Sequence, residues 1–161
     1  MAPAGDATEN YGGGTIMSLD IESESVRAYL AMIQSVITRM AGNSASCKTW
    51  CVSIVSAIVV LAIDKNKPNA VVSALLPVLA FFVLDAYYLS LERDFRRLYD
   101  SFVKSVHVGT AETKDVYLLM PAGGFAQRVV GVLTATLSPS VSPFYAVLVA
   151  ALLVAKYLIS S

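Results

Sequence analysis

The chain has 161 residues, of which 56% are apolar and only 15% are charged, and its mean hydropathy is +0.63. A chain of this length makes one domain, and this composition excludes an ordinary soluble domain of the same size. The formal net charge is zero. Because no overall charge draws the molecule to nucleic acid, we expect no direct nucleic-acid binding.

The N-terminal part divides into a leader and a helix. Residues 1–17 are small, polar and glycine-rich, a composition typical of disorder. Residues 18–41 are predicted to form an amphipathic cytoplasmic helix, which Ser18 or Asp20 can cap. Its apolar side chains recur every three or four residues, at Val26, Leu30, Ile33, Ile37 and Met40. Such a helix needs a partner, which can be a sister helix, a second subunit or the membrane surface.

Two apolar segments then predict a transmembrane hairpin at 43–106. The first span covers about 43–63, with Lys48 extending its ammonium toward the membrane surface. The second span covers about 69–91, and Pro77 near its middle predicts a kink. Beyond it, the pattern to residue 106 becomes amphipathic again, which indicates that the helix continues into the cytoplasm.

The C-terminal part is predicted to hold a third span. Residues 107–142 are expected to form a cytoplasmic loop with a helix at about 122–136, either interfacial or buried, and a turn rich in serine and proline. Residues 143–161 are apolar and long enough to cross a membrane. They also contain two small-x3-small patterns, which permit close helix approach: Ala146 with Ala150, and Ala151 with Ala155.

Basic residues near the spans predict the orientation, because positive charges accumulate on the cytoplasmic side. Lys65 and Lys67 occupy the short loop between the first two spans. The other side carries seven basic residues: Arg27, Arg39, Lys48, Arg93, Arg96, Arg97 and Lys104. The N-terminus and the 92–142 segment are therefore predicted to be cytoplasmic, in a multi-pass protein of the bacterial inner membrane.

Two sequence blocks resemble a widespread family of small bacterial multi-span membrane proteins. The first block enters the first span with Met40, Ala41, Asn43, Ser44, Lys48 and Trp50. The second leaves the second span with Leu84, Asp85, Tyr87, Tyr88, Leu89, Glu92, Arg93, Arg97, Leu98, Tyr99 and Asp100. A more distant analogy links such small proteins to membrane-damaging effectors of bacterial antiphage defence. The resemblance implies an all-α membrane fold, and the analogy implies effector activity.

Asp85 is the most informative residue, because a carboxylate inside an apolar span is costly unless protein or water satisfies it. Antiparallel packing of the first two spans would bring Lys48, Asn43 or Ser44 toward it. We expect a buried polar clasp that fixes the hairpin. The alternatives are a gate in an ion pathway, which opens when protomers rearrange, and a carboxylate solvated at the headgroup boundary.

The other polar and aromatic residues have simpler interpretations. Arg93, Arg96 and Arg97 form a cytoplasmic basic cluster, suited to helix ion pairs and anionic headgroups, or alternatively to a phosphate or nucleotide signal. The predicted interfacial anchors are Trp50, Tyr87, Tyr88 and Tyr145. The sequence offers no constellation for catalysis, metal binding or a cofactor, so we expect none.

Together these features predict an all-α integral membrane protein with an N-terminal amphipathic helix, a transmembrane hairpin with a cytoplasmic extension, and a third C-terminal span. The leading functional hypothesis is a non-enzymatic effector that self-associates in the lipid bilayer and permeabilises or depolarises it. Three spans cannot enclose a pore, so this activity requires a homo-oligomer. The alternative is a structural adaptor, whose amphipathic helices dock a cytoplasmic protein partner encoded nearby.

Overall fold

The computed structural model describes residues 23–112, 115–120 and 124–160, and over these ranges the chain is all-helical, as predicted. The helices are α1 (Glu24–Asp64), α2 (Leu75–Val108), α3 (Phe125–Thr136) and α4 (Ser142–Ser160). A 3₁₀ segment, Pro68–Ala74, precedes α2. The predicted leader and the predicted caps Ser18 and Asp20 lie outside the described residues.

Three helical segments are long and apolar enough to cross a membrane. They are α1, the 3₁₀ segment continued by α2, and α4. Their number agrees with the three predicted spans, and α4 coincides closely with the third. The described part of the structure therefore supports a membrane-embedded fold.

Helix α1 joins the predicted amphipathic helix and the first span without a break. Its 41 residues extend about 60 Å, roughly twice the thickness of a hydrocarbon core. If the apolar C-terminal part of α1 crosses a bilayer, the N-terminal end therefore projects beyond it. Ser23 caps that end, accepting a hydrogen bond from the Val26 amide at 3.4 Å. Gly42 lies where the sequence suggested a boundary, but one glycine weakens a helix by only about 1 kcal/mol, and α1 continues through it.

The connection between α1 and α2 is tight. Asn66 adopts a left-handed conformation with φ 49°, and the Lys67 amide donates to the Ala62 carbonyl at 2.9 Å. The kink predicted at Pro77 stays a prediction, and the helix changes from 3₁₀ to α geometry just before this residue. Pro77 is the third residue of α2, where a backbone N–H has no intrahelical partner to lose, and the preceding 3₁₀ segment supplies the first part of the predicted span.

Helices α1 and α2 pack antiparallel, and at their projecting ends they enclose a hydrophobic core that we call the hairpin cluster. Its rings of Tyr29 and Phe102 pack edge to face, with centroids 4.7 Å apart. The cluster comprises Val26, Tyr29, Ile33, Ile37, Phe102, Val106, Ala111 and Val116. Of the three partners considered for the N-terminal amphipathic helix, the structure therefore supplies a sister helix.

A second core, the span cluster, joins the apolar parts of α1, the 3₁₀ segment, α2 and α4. It comprises Cys51, Val55, Ala62, Val71, Ala74, Val78, Val141, Tyr145 and Leu152. Tyr145 and Leu152 are the buried residues of α4, so most of this helix remains on the outside of the bundle. Lipid is as apolar as these side chains, so moving them from lipid into the bundle gives little hydrophobic stabilisation. Shape and close packing therefore decide how stably α4 packs on the other helices.

Tyr29 makes the stability of the hairpin cluster sensitive to alkaline pH. Its hydroxyl donates to the Leu118 carbonyl at 2.7 Å, and burial, followed by the charge of Asp115, raises its pKa. The folded pKa therefore lies above the unfolded value of about 10. The proton-linked stabilisation is fully present below that value and is lost as the pH rises through the folded pKa.

We expect Tyr29→Phe to lower the free energy of unfolding at neutral pH by about 1 kcal/mol and to reduce the loss of helicity above pH of about 10. Circular dichroism of the detergent-solubilised chain during alkaline titration measures both effects. Tyr157→Phe, at an exposed position on α4, is the matched control. An unchanged alkaline transition in Tyr29→Phe would contradict the assignment.

Candidate functional site

A layer of polar side chains separates the hairpin cluster from the span cluster. The buried polar residues of the described chain are Ser44, Asp85, Ser90 and Ser138, and all four lie in this layer. Lys48 and Arg93 complete it through contacts with Asp85 and Ser138. We call these six residues the polar layer, and they connect α1 and α2 with the turn between α3 and α4.

Asp85 is the centre of the polar layer. Its side chain is 0% exposed, and its Oδ2 lies 2.6 Å from Nζ of Lys48, whose side chain is 21% exposed. Ser44 donates its hydroxyl hydrogen bond to Oδ1 of Asp85 and accepts one from Lys48 Nζ at 3.2 Å. Because residues four apart share a helix face, Ser44 and Lys48 reach the carboxylate together.

Asn43 does not join this arrangement, contrary to the expectation from sequence. It is half-buried and makes no side-chain hydrogen bond with a described residue. Successive residues of an α-helix point about 100° apart. A helix that directs Ser44 at Asp85 therefore turns its neighbour Asn43 away.

Tyr145 is a member of this site that the sequence did not predict. It was expected to be an interfacial anchor, but only 4% of it is exposed, so that prediction was wrong. Its ring packs against Phe82, with centroids 5.3 Å apart, because the first turn of α4 faces the α1–α2 pair. Its buried hydroxyl has no hydrogen-bond partner among the described residues and lies within electrostatic reach of Asp85.

The Asp85 oxygen nearest Lys48 is held by charge rather than by a well-directed hydrogen bond. Oδ2 contacts the ammonium group, yet no donor in the described chain meets it with hydrogen-bond geometry. The site thus contains one acceptor and one phenolic donor, Tyr145, that are both buried and close to one another. This proximity places the first turn of α4 beside the ion pair.

The predicted basic cluster does not act as one unit. Arg93 turns into the polar layer and donates to Oγ of Ser138 at 2.9 Å. Arg96 pairs with Glu92 at 2.8 Å, and Arg97 pairs with Asp94. These last two pairs lie along α2 itself and are exposed on the arginine side, so each contributes only a few tenths of a kcal/mol.

Helix α3 approaches α2 closely at Gly131. A Cβ atom built on this glycine would lie 2.6 Å from Oγ of Ser90, so only a residue without a side chain fits there unless Ser90 moves. The bond from Arg93 to Ser138 holds the C-terminal side of α3 against the same helix. The serine-rich turn was visible in the sequence, but neither its partner Arg93 nor the contact at Gly131 was predicted.

The remaining predicted anchors are accessible. Trp50 is 63% exposed and Tyr87 is 48% exposed, while Tyr88 is half-buried. The rings of Tyr87 and Tyr88 lie 5.8 Å apart, edge to face. Their positions leave aromatic surface available at the end of the second predicted span, as an interfacial role requires.

The two cysteines, Cys47 and Cys51, are free and buried. Within the described residues, no group of three or more histidine, cysteine, aspartate or glutamate side chains could hold a metal ion. Asp85 has no exposed surface on which a substrate could meet it. The arrangement can therefore lock helices together and can release charged groups if the helices separate.

The fold and this site define a class of protein: an all-helical chain with three helices able to cross a membrane and a buried ion pair between its two cores. The comparisons with known proteins add nothing to this class, because no family model, curated protein or solved structure matches the chain.

Proposed function

We propose that the chain is a non-enzymatic protein of the bacterial inner membrane that self-associates and permeabilises or depolarises the bilayer when triggered. The observation that carries this proposal is the ion pair in the polar layer between fully buried Asp85 and Lys48, whose side chain is 21% exposed. A single protomer thus holds the Asp85 carboxylate out of contact with lipid and water. A charged pathway would form only when helices from several protomers rearrange.

The polar layer supplies a route from a cytoplasmic trigger to the spans. The hairpin cluster lies on one side of it and the span cluster on the other. A partner or signal that separates the projecting ends of α1 and α2 would pull on the same two helices that hold Lys48 and Asp85. In the proposed orientation these ends and the N-terminus are cytoplasmic, since the basic residues accumulate there.

Helix α4 offers the surface for self-association. Two grooves flank it, one of about 710 Å³ beside α2 and one of about 280 Å³ beside α1. Ala146 and Ala150 line the first groove, and Ala151 and Ala155 line the second. Small side chains let a helix of another protomer approach closely, so both small-x3-small patterns are open to a second copy.

The adaptor function is the second candidate, and one observation favours it. Tyr117, Leu118 and Met120, in the segment after α2, each expose half or more of their surface on the side of the hairpin cluster. They could dock a cytoplasmic protein. The amphipathic faces of α1 and α2 are less suited to that role, because they are buried against one another.

Membrane potential distinguishes the two functions. We expect cells that express the chain with its genomic neighbours to lose potential-sensitive dye fluorescence after a trigger such as phage infection, while cells without the chain retain it. An adaptor changes no permeability. Normal potential and growth under every trigger, despite protein in the membrane fraction, would contradict the effector proposal and favour the adaptor.

A further inference from the structure

Helix α3 has the composition and exposure of a helix that lies in a membrane surface. Its apolar residues Val129, Val130 and Leu133 are exposed by 41%, 58% and 61%. Its only charged residue is Arg128. Exposed apolar residues beside a cationic one are typical of helices that lie in the plane of the interface.

Helix α3 also lies level with the end of the second predicted span, as an interfacial helix would. Gly131 packs against Ser90 of α2, one residue before Leu91, where the apolar run of the second predicted span ends. The Arg93–Ser138 hydrogen bond fixes the following turn at the same level. Helix α3 therefore lies beside the point where α2 passes from apolar to charged sequence, which is where headgroups lie.

An open groove of about 690 Å³ runs between α2 and α3. It is lined by Asp94, Arg97, Ala126, Gln127, Arg128, Val130, Gly131 and Thr134. Arg97 pairs with Asp94, whereas Arg128 forms no ion pair with a described residue. Two guanidinium groups therefore face one carboxylate, and the groove carries an uncompensated positive charge.

A second, more apolar groove of about 330 Å³ meets the first at Arg128 and at Asp94, whose carboxylate pairs with Arg97. Its lining is Tyr87, Ser90, Leu91, Asp94, Arg128, Val129 and Val132. Arg128 thus has polar groups on one side and aromatic and aliphatic groups on the other. This arrangement fits a ligand that has an anionic head and an apolar tail.

We infer that the α2–α3 groove binds an anionic phospholipid. Arg128 takes the phosphate, because a guanidinium group can donate two parallel hydrogen bonds to it. Gln127 is available to the headgroup, and the Thr134 hydroxyl, which donates to the Gly131 carbonyl at 2.9 Å, can accept a hydrogen bond from a headgroup hydroxyl. The acyl chains lie along Val129, Val132 and Leu91. A free phosphate would leave this apolar lining uncovered.

Native mass spectrometry of the full chain, extracted from vesicles of equal phosphatidylcholine and phosphatidylglycerol, tests the inference. We expect the wild type to retain phosphatidylglycerol in preference to phosphatidylcholine by about tenfold or more. Both lipids offer a phosphate to Arg128, but the uncompensated positive charge of the groove repels the trimethylammonium group that only phosphatidylcholine carries. Arg128→Gln should abolish the preference. Arg27→Gln, at an exposed arginine of α1 without a described ion pair, should keep it.

Two further measurements complete the test. Arg128 is exposed, so Arg128→Gln should keep the melting temperature of the wild type, and loss of lipid retention then reports the site itself. Inorganic phosphate and glycerol phosphate should not displace the lipid at millimolar concentration. An unchanged preference in Arg128→Gln, or displacement by either soluble phosphate, would overturn the inference.

Discussion

Lys48→Met should lower the free energy of unfolding by about 3 kcal/mol, the lower end of the range for removing one partner of a buried ion pair. Asp85 would remain fully buried with its charge uncompensated, because Ser44 alone cannot replace the ammonium contact at 2.6 Å. The lower end applies because the Lys48 side chain is 21% exposed and water already screens part of the interaction. Thermal melting followed by size-exclusion chromatography in detergent measures the loss.

Two further variants separate the ion pair from a general effect of removing a lysine. Lys104→Met removes an exposed lysine of α2 that forms no described ion pair and should leave the melting temperature unchanged. The double variant Lys48→Met with Asp85→Leu removes both charges and should recover much of the lost stability. Equal stability of Lys48→Met and the wild type would show that the pair does not hold the helices together.

Asp85→Asn distinguishes a clasp from a gate. The amide removes the negative charge and can direct an NH₂ group at Lys48. If Asp85 acts as a clasp, the variant should therefore show less folded protein in the membrane fraction. If Asp85 acts as a gate, the variant should remain folded and assembled but should no longer depolarise the membrane. The contacts of Asp85 with Lys48 and Ser44 make the loss of folded protein our expected result.

Local patterns in the sequence were sufficient for most of the secondary structure. Apolar runs predicted three helices able to span a membrane, and the proline- and serine-rich segment marked the turn before α4. The partners Lys48 and Ser44 were also predictable, because they lie four residues apart and Asp85 follows the turn at a matching distance. Such local spacing sets which face of a helix a side chain occupies.

Contacts between distant segments could not be predicted in the same way. Tyr145 was expected at the membrane surface because aromatic residues near span ends usually lie there, yet its ring fills the span cluster beside Phe82. Nothing in the periodicity indicated that Arg93 would bind Ser138 or that α3 would meet Ser90 at Gly131. These contacts depend on how α3 and α4 pack on the α1–α2 hairpin. That packing leaves no periodic pattern in a single sequence from which it could be predicted.

Ala150→Leu should weaken self-association of the chain by about fivefold to 150-fold, because overfilling a close-packed contact costs about 1–3 kcal/mol. Ala150 is exposed and lines the groove beside α2. A leucine there would occupy the space that the proposed neighbouring protomer needs. The same variant should therefore lose most of the depolarisation proposed for the wild type.

The matched control is Ala57→Leu, because Ala57 is exposed on α1 and lines neither groove beside α4. Chemical crosslinking in membranes, followed by analytical ultracentrifugation in detergent, compares the two variants with the wild type at equal expression. Ala57→Leu should crosslink and depolarise as the wild type does. If Ala150→Leu also crosslinks and depolarises as the wild type does, α4 does not form the contact beside α2. If the wild type itself is a monomer in the membrane, a pore is excluded because three spans cannot enclose one.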